Sequence, residues 1–135
     1  TSALIEHLKK QPSAVIINNT SVLAYVPLAY NAVYSATKAA LHSFSMSQRF
    51  TLRDTSVKVQ EIAPPWVDTD LIKKSGDPRA MPLDAFVKET MEKLATDKED
   101  IYVDAIQMLR DNPGSKEHEF FFQFNEAMVK DPIPV

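Results

Sequence analysis

Apolar residues occur along the chain both in short continuous runs and in stripes at helical spacing. The run of Ala, Val and Ile at residues 14–17 predicts a strand that is buried on both faces of a parallel sheet. Residues 57–63 predict a second strand, which two prolines end, and residues 101–103 predict a third, short strand. Helical spacing predicts helices near residues 4–10, 31–53, 83–94, 104–110 and 116–129.

The alternation of strands and helices predicts the α/β fold class. We expect a three-layer, Rossmann-like parallel sheet that is partial, with about three strands and flanking helices. The length of 135 residues fits one domain over residues 1–135. Ligands of such sheets bind beyond the carboxyl ends of the strands, so the residues that follow the first two strands are the first candidates for chemistry.

Composition excludes several classes of function. A net charge of −3 without a block of Lys or Arg gives nucleic acid no electrostatic footprint. The apolar runs are too short for a membrane span, and the absence of cysteine excludes disulfides and a thiol nucleophile. His7, His42 and His118 lack metal-ligand spacing, so we expect them at the surface or at helix caps, and we expect no metal site. A cytoplasmic protein fits these features.

Glycine is scarce in this chain. Gly76 and Gly114 are its 2 glycines, whereas average usage of about 7% would give roughly nine in a chain of this length. A loop that cradles a phosphate needs several glycines in one short turn. The chain therefore cannot hold a pyrophosphate in the usual way.

Three residues near the first strand suggest proton transfer. Tyr34 and Lys38 stand four residues apart in the long predicted helix, so their polar ends can meet on one helix face. Ser21 follows the first strand, and residues 64–69 follow the second strand at the same edge of the sheet. A phenol beside an ammonium gives up its proton more readily, and a nearby hydroxyl can bind the oxygen that receives it. This is equipment for moving a proton on and off a carbonyl oxygen.

A family resemblance follows from these residues. Ser21, Tyr34 and Lys38, followed by Pro-Pro-Trp-Val-Asp-Thr at residues 64–69, resemble the second half of a short-chain dehydrogenase/reductase. The family pattern after the later strand is Pro-Gly-x-Val/Ile-x-Thr, and this chain has Pro65 where glycine is usual. The likeness runs from about residue 4 to residue 71 and is looser beyond.

The resemblance implies an NAD(P)-dependent oxidoreductase that moves a hydride between nicotinamide and an alcohol or ketone substrate. Tyr34 would be the general acid/base on the substrate oxygen, Lys38 would assist Tyr34 and hold the nicotinamide ribose, and Ser21 would bind the substrate oxygen. The implied cofactor-binding residues are Tyr34, Lys38, Pro64, Pro65, Val67 and Thr69. Among these, backbone groups of Val67 and the hydroxyl of Thr69 would orient the nicotinamide carboxamide.

Simpler structural interpretations remain open for several of these residues. Ser21 is also compatible with satisfying backbone groups in a turn, and Thr69 with capping the helix that begins near residue 71. Trp66 fits an apolar substrate pocket and plain packing equally well.

The resemblance also implies what this chain lacks. The family's nucleotide-binding glycines, its residues that choose NAD or NADP, and an active-site asparagine all lie earlier in its chains. We therefore expect a truncated, C-terminal catalytic half, inactive alone, whose cofactor is NAD or NADP with the pyrophosphate loop elsewhere. The alternative is an inert α/β fragment or interaction module without a cofactor site. The helices at residues 1–10 and 31–53 suggest a homo-oligomer as a further possibility.

Overall fold

The computed structural model of the chain describes residues 2–72, 76–111 and 114–132 and, within them, one parallel sheet. Its strands are β1 Ala14–Asn19, β2 Val57–Ile62 and β3 Asp100–Ile101, in the order β1-β2-β3. The α-helices in these ranges are α1 Ile5–Lys9, α2 Ala32–Leu52, α3 Leu83–Leu94, α4 Gln107–Arg110 and α5 Glu117–Lys130. This architecture confirms the predicted α/β class. No helix of the described ranges combines the length and apolarity that crossing a membrane requires.

Parallel pairing of β1 and β2 extends over all six residues of each strand, so that Asn19 lies opposite Ile62 at their carboxyl ends. β3 is two residues long and begins one residue earlier than the sequence predicts. It pairs Asp100 with Glu61 of β2. The central strand β2 is thus hydrogen-bonded on both sides at its carboxyl end.

The hydrogen bonding between the first two strands continues past their ends. The Thr20 N–H donates to the Ile62 carbonyl at 2.8 Å, and the Val22 N–H donates to the Pro64 carbonyl at 3.0 Å. Ser21 lies between these two contacts. The segments that follow β1 and β2 therefore run side by side at one edge of the sheet, as the sequence predicts.

Helix α2 covers one face of the sheet. An apolar cluster of Ile16, Leu52, Val57 and Val59 fills the space beneath its C-terminal end. Further along, the buried side chains of α2 are small or polar, and Asn18 of β1 donates from Nδ2 to Ser45 Oγ at 2.9 Å and to Gln48 Oε1 at 3.1 Å. Small residues let the helix approach the strands closely, and the hydrogen bonds satisfy the polar groups buried there.

The other face of β1 is open. Val15 and Ile17 are 48% and 49% exposed, whereas Ile16 between them is buried beneath α2. The prediction that β1 is buried on both faces is therefore wrong for the described residues, because side chains alternate across a strand and only one face is covered here. On β2, the side chain of Gln60 lies on this other face of the sheet, where it binds the end of α3.

A second cluster lies beyond the carboxyl ends of the strands. Val22, Val103 and Ile106 are buried together, and Met81 and Phe86 pack against them. This cluster joins the segment after β1 to α3 and to the segment after β3. The loops at the edge of the sheet thus have an apolar core of their own.

Two arginines hold a partly buried carboxylate at the start of β3. Asp100 pairs with Arg49 at 2.9 Å and with Arg110. Burial acts to raise the pKa of the Asp100 carboxyl, but the hydrogen bond from Arg110 and the charge of Arg49 outweigh it and hold the pKa below the ordinary value of 3.8. The charged form is therefore favoured in the folded protein.

We expect Asp100→Asn to lower the free energy of unfolding at neutral pH and to flatten its dependence on acid. A lowered carboxyl pKa gives stability that is complete above the unfolded value of 3.8 and is lost as the pH falls through the folded value. Urea unfolding over the range from neutral pH to about pH 3 measures the slope.

Asp104→Asn is the matched control for this measurement. Its carboxyl also has a lowered pKa, through the hydrogen bond and charge of Lys93, but the side chain is exposed. High salt should therefore weaken the effect of the control variant more than that of Asp100→Asn. A parent-like acid slope in Asp100→Asn would contradict the assignment.

Candidate active site

Tyr34 and Lys38 lie on the first turns of α2, above the carboxyl end of β1. The Lys38 Nζ donates to the carbonyl oxygen of Asn19, the last residue of β1, at 3.0 Å. The same Nζ lies 5.5 Å from the centroid of the Tyr34 ring, as expected for neighbours four residues apart on a helix. Tyr34 is 39% exposed. An ammonium, a reachable phenol and the end of a strand thus meet at one place.

Ser21 lies in the segment that follows β1 and is buried. Its Oγ accepts a hydrogen bond from the Leu23 N–H at 3.2 Å and caps the 3₁₀ turn Val22–Ala24, which packs against α2. Ser21 thus satisfies a backbone group in a turn, as one of its two sequence interpretations expects. Because the oxygen acts here as an acceptor, the hydroxyl proton is left to be donated elsewhere.

Val67 lies in the segment after β2, in a single parallel bridge with Met81. The Met81 N–H donates to the Trp66 carbonyl and the Asp68 N–H donates to the Met81 carbonyl, both at 2.9 Å. These two bonds use the neighbours of Val67, so its own N–H and C=O point away from Met81. A donor and an acceptor side by side on one strand edge match the two polar groups of an amide.

The rest of this segment is partly buried. Pro65 precedes the bridge, and Thr69 follows it, immediately before the 3₁₀ turn Asp70–Ile72. The Trp66 ring packs under the guanidinium of Arg79, whose Cζ lies 5.5 Å from the ring centroid. Trp66 thus has a packing partner within the chain.

The loop between Ser21 and α2 is held from two sides. Asn125 of α5 accepts from the Ala29 N–H at 2.6 Å and donates to the Pro27 carbonyl at 3.0 Å. From α2, the buried Ser35 Oγ accepts from the Leu28 N–H at 3.1 Å. The sequence carries no sign of the Asn125 contact, since an asparagine in an amphipathic helix ordinarily faces solvent.

His42 is a further residue that the sequence interpretation placed wrongly. It is not a surface or capping residue, because its Nδ1 lies 2.9 Å from a carboxylate oxygen of Glu61, which is fully buried. Thr20 donates to the same carboxylate at 2.7 Å. The available signal is spacing, since His42 stands four residues after Lys38 and therefore on the same face of α2.

Tyr25 completes this buried cluster as a hydrogen-bond donor. Its hydroxyl lies 3.2 Å from Glu61 Oε1, and its ring meets His42 edge to face with 5.0 Å between centroids. Burial and then the negative charge of Glu61 raise the pKa of Tyr25 well above its ordinary value. The phenol therefore stays protonated and donates to the carboxylate.

Comparison with known proteins gives a family match. The family model described as short chain dehydrogenase matches residues 1–80. The uncharacterized oxidoreductase DltE of Bacillus subtilis strain 168 is 45% identical over 124 residues, which cover 88% of this chain and 49% of that protein. The chain thus spans about half the length of this curated relative.

Solved structures share the fold. A short chain dehydrogenase from Burkholderia cenocepacia J2315 in complex with NADP has a TM-score of 0.77 at 24% identity, covering 90% of this chain and 53% of that one. A short-chain dehydrogenase from Sphingobium yanoikuyae in complex with NADPH has a TM-score of 0.67 at 17% identity, covering 96% and 50%. The three-stranded sheet and its helices therefore match a Rossmann-like arrangement.

Proposed function

This chain belongs to the short-chain dehydrogenase family, and from that premise we propose that it supplies the catalytic residues of an NAD(P)-dependent oxidoreductase acting on an alcohol/ketone pair. The observation that carries the proposal is the contact of Lys38 with both the Tyr34 ring and the end of β1. In this proposal residues 1–135 are the C-terminal, catalytic part of a Rossmann-type domain, and the pyrophosphate-binding loop lies outside them. The chain covers 49% of the Bacillus subtilis relative, which leaves about half of that relative's length for other parts.

Tyr34 acts in this proposal as the general acid/base. Its hydroxyl gives a proton to the substrate carbonyl oxygen during reduction and takes it back during oxidation. The partial exposure of the side chain lets a substrate reach it. The ammonium of Lys38 beside the ring stabilises the phenolate that remains after the proton has left, and its bond to Asn19 fixes where that charge stands.

Ser21 acts as the second donor to the substrate oxygen. Its Oγ accepts a hydrogen bond from the Leu23 N–H, which leaves the hydroxyl proton for the substrate. The same hydrogen bond therefore both fixes the side chain and orients the hydroxyl. Two hydroxyl donors, Ser21 and Tyr34, would then share the charge that develops on the oxygen during hydride transfer.

The residues after β2 fit the nicotinamide end of a dinucleotide. The N–H and C=O of Val67 turn away from Met81 and complement a carboxamide, and the Thr69 hydroxyl follows two residues on. Pro64 and Pro65 restrict the backbone that leads into Val67 and Thr69. Lys38 uses one donor on Asn19 and keeps others for ribose hydroxyls. When bound, NAD or NADP supplies or accepts the hydride.

We expect Tyr34→Phe in the full-length protein to lower turnover by about 10²-fold to 10⁴-fold, the usual worth of a general acid/base. The fold should survive, because the change removes only a hydroxyl from a partly exposed ring. Consumption of NADH or NADPH with a panel of aldehydes and ketones measures turnover, and thermal unfolding measures stability. Tyr30→Phe, on a nearby exposed tyrosine, is the control and should keep parent activity; retained turnover in Tyr34→Phe would contradict the proposal.

An inert α/β fragment is the second candidate function, and the glycines favour it for the isolated chain. Gly76 and Gly114 have positive φ values of 64° and 56°, and they are too far apart in the sequence to form one glycine-rich phosphate-binding loop. An inherited motif without a cofactor grip would leave these 135 residues as an interaction module.

Titration of NADH or NADPH fluorescence separates the two candidates. We expect saturable binding by the full-length protein, weakened several-fold by Lys38→Met because a donor to the ribose is lost. Lys58→Met, at an exposed lysine toward the other end of β2, is the matched control. If the chain is an inert fragment, the 135-residue polypeptide shows no saturable binding. Saturable binding by that polypeptide alone would therefore exclude the inert fragment.

We also propose that α1 and α2 pack against a second copy of the chain. Large apolar side chains are exposed on both helices or beside them, namely Leu4, Val33, Phe44, Met46 and Phe50. The small residues of α2 allow a second helix to approach closely.

Sedimentation of the full-length protein tests this association. We expect a dimer or larger assembly whose dissociation is promoted by Phe44→Lys, because a charge would be buried between the helices. Met108→Lys, at an exposed methionine of α4, is the control and should leave the assembly intact. A strictly monomeric parent protein would refute the proposed interface.

A further inference from the structure

Glu61 is a fully buried carboxylate on the face of β2 that α2 covers. An ion at such a place is costly unless its oxygens are hydrogen-bonded. Thr20 donates to Oε1 at 2.7 Å, the Tyr25 hydroxyl lies 3.2 Å from the same oxygen, and His42 Nδ1 lies 2.9 Å from Oε2. The guanidinium of Arg49 approaches Oε2 to 4.0 Å. Both oxygens are therefore occupied by groups from other elements.

The partners of this carboxylate flank the proposed catalytic residues. Thr20 stands between Asn19, whose carbonyl holds Lys38, and Ser21. His42 stands one helical turn after Lys38 on the same face of α2. The buried Glu61 carboxylate thus contacts both the segment after β1 that carries the serine and the helix that carries the tyrosine and lysine.

We propose that Glu61 is a positioning residue of the dehydrogenase site, which sets the Tyr34–Lys38 turn of α2 against the segment of Ser21. The inference rests on the proposed function. The bond from Lys38 to Asn19 passes through a long, flexible side chain. Glu61 instead lies on the central strand and joins the two segments through the shorter side chains of Thr20 and His42. A displacement of about 1 Å between catalytic groups costs roughly 10²-fold in rate, so such a link acts on turnover.

The chemistry of the position supports a role beyond packing. A well-packed apolar side chain at a buried site is commonly as stabilising as an ion, or more so. A carboxylate with three hydrogen-bonding partners instead defines one arrangement of them, because each bond has a preferred direction and length. This is the property that a site built from two separate segments requires.

Gln60, the preceding residue, provides a matched contrast. It is also buried and polar, but it lies on the opposite face of β2. Its Nε2 donates to carbonyls at the end of α3 and in the loop after it, those of Leu94, Thr96 and Lys98. Gln60 thus stabilises the same strand without touching α2 or the segment of Ser21.

The test compares variants of the full-length protein with NADH or NADPH and a panel of aldehydes and ketones. Thr20→Val removes one hydroxyl at constant shape, and Glu61→Ala removes the whole link. We expect each to lower kcat about tenfold or more per folded molecule, with the Kd for the reduced dinucleotide changed by less than about threefold. The double variant should be no slower than Glu61→Ala, because both changes break one link.

Two further variants distinguish positioning from stability alone. Glu61→Gln keeps an acceptor for Thr20 and should restore most of kcat. Gln60→Leu should lower the melting temperature and leave kcat per folded molecule at the parent value. Parent-like kcat in both Thr20→Val and Glu61→Ala, or an equal loss of kcat in Gln60→Leu, would overturn the proposal.

Amide hydrogen exchange gives a readout that does not depend on turnover. Thr20→Val should speed exchange both at residues 19–22 and in the first turns of α2, whereas Gln60→Leu should speed neither selectively. Unchanged exchange at both places in Thr20→Val would count against the link. If the parent protein shows no turnover that depends on Tyr34, the proposed function is refuted. The positioning role of Glu61 in catalysis is then refuted with it, even if hydrogen exchange shows that the two segments are coupled.

Discussion

Six residues of β1 pair in parallel with six residues of β2, and the hydrogen bonding continues past both strand ends at Thr20 and Val22. Because the two strands end at the same level, the segments that follow them are forced to run side by side. The chain must then return along α2 to reach β2, and this return brings the first turns of the helix to the same edge. The contact of Lys38 with Asn19, two residues before Ser21, is therefore a consequence of strand register.

The contact between α2 and the sheet is largely polar near this edge. Apolar packing beneath the C-terminal end of the helix tolerates small shifts, whereas the hydrogen bond from Asn18 to Ser45 and the contact of His42 with Glu61 specify one arrangement. The small side chain of Ser45, which contacts Asn18 of β1, makes the close approach possible. The helix thus has an apolar attachment at one end and a directional one where the proposed chemistry takes place.

The sequence predicts the architecture well because apolar periodicity records which surfaces are buried. The bounds of α3 follow from its apolar stripe, and β1 and β2 follow from runs that prolines and polar residues end. The same reasoning fails for Val15 and Ile17, since the composition of a strand does not say which element covers each face. It also misses Glu61 and Asn125, because their roles depend on partners that are distant along the chain. The roles of Ser21, Tyr34, Lys38 and the segment after β2 stay predictions that contacts support.

The family match over residues 1–80 includes every residue that takes part in the proposed chemistry, and Glu61 as well. Among the described residues, those beyond residue 80 contribute to the site only by supporting its parts. Met81 fixes the bridge that turns the backbone of Val67 outward, and Asn125 fixes the loop that leads into α2. Chemistry and support thus come from different parts of the chain. A change in α5 can therefore move the loop before Tyr34 without altering the phenol, the ammonium or the hydroxyl of the proposed site, so the proposed chemistry and the surface around it can vary separately.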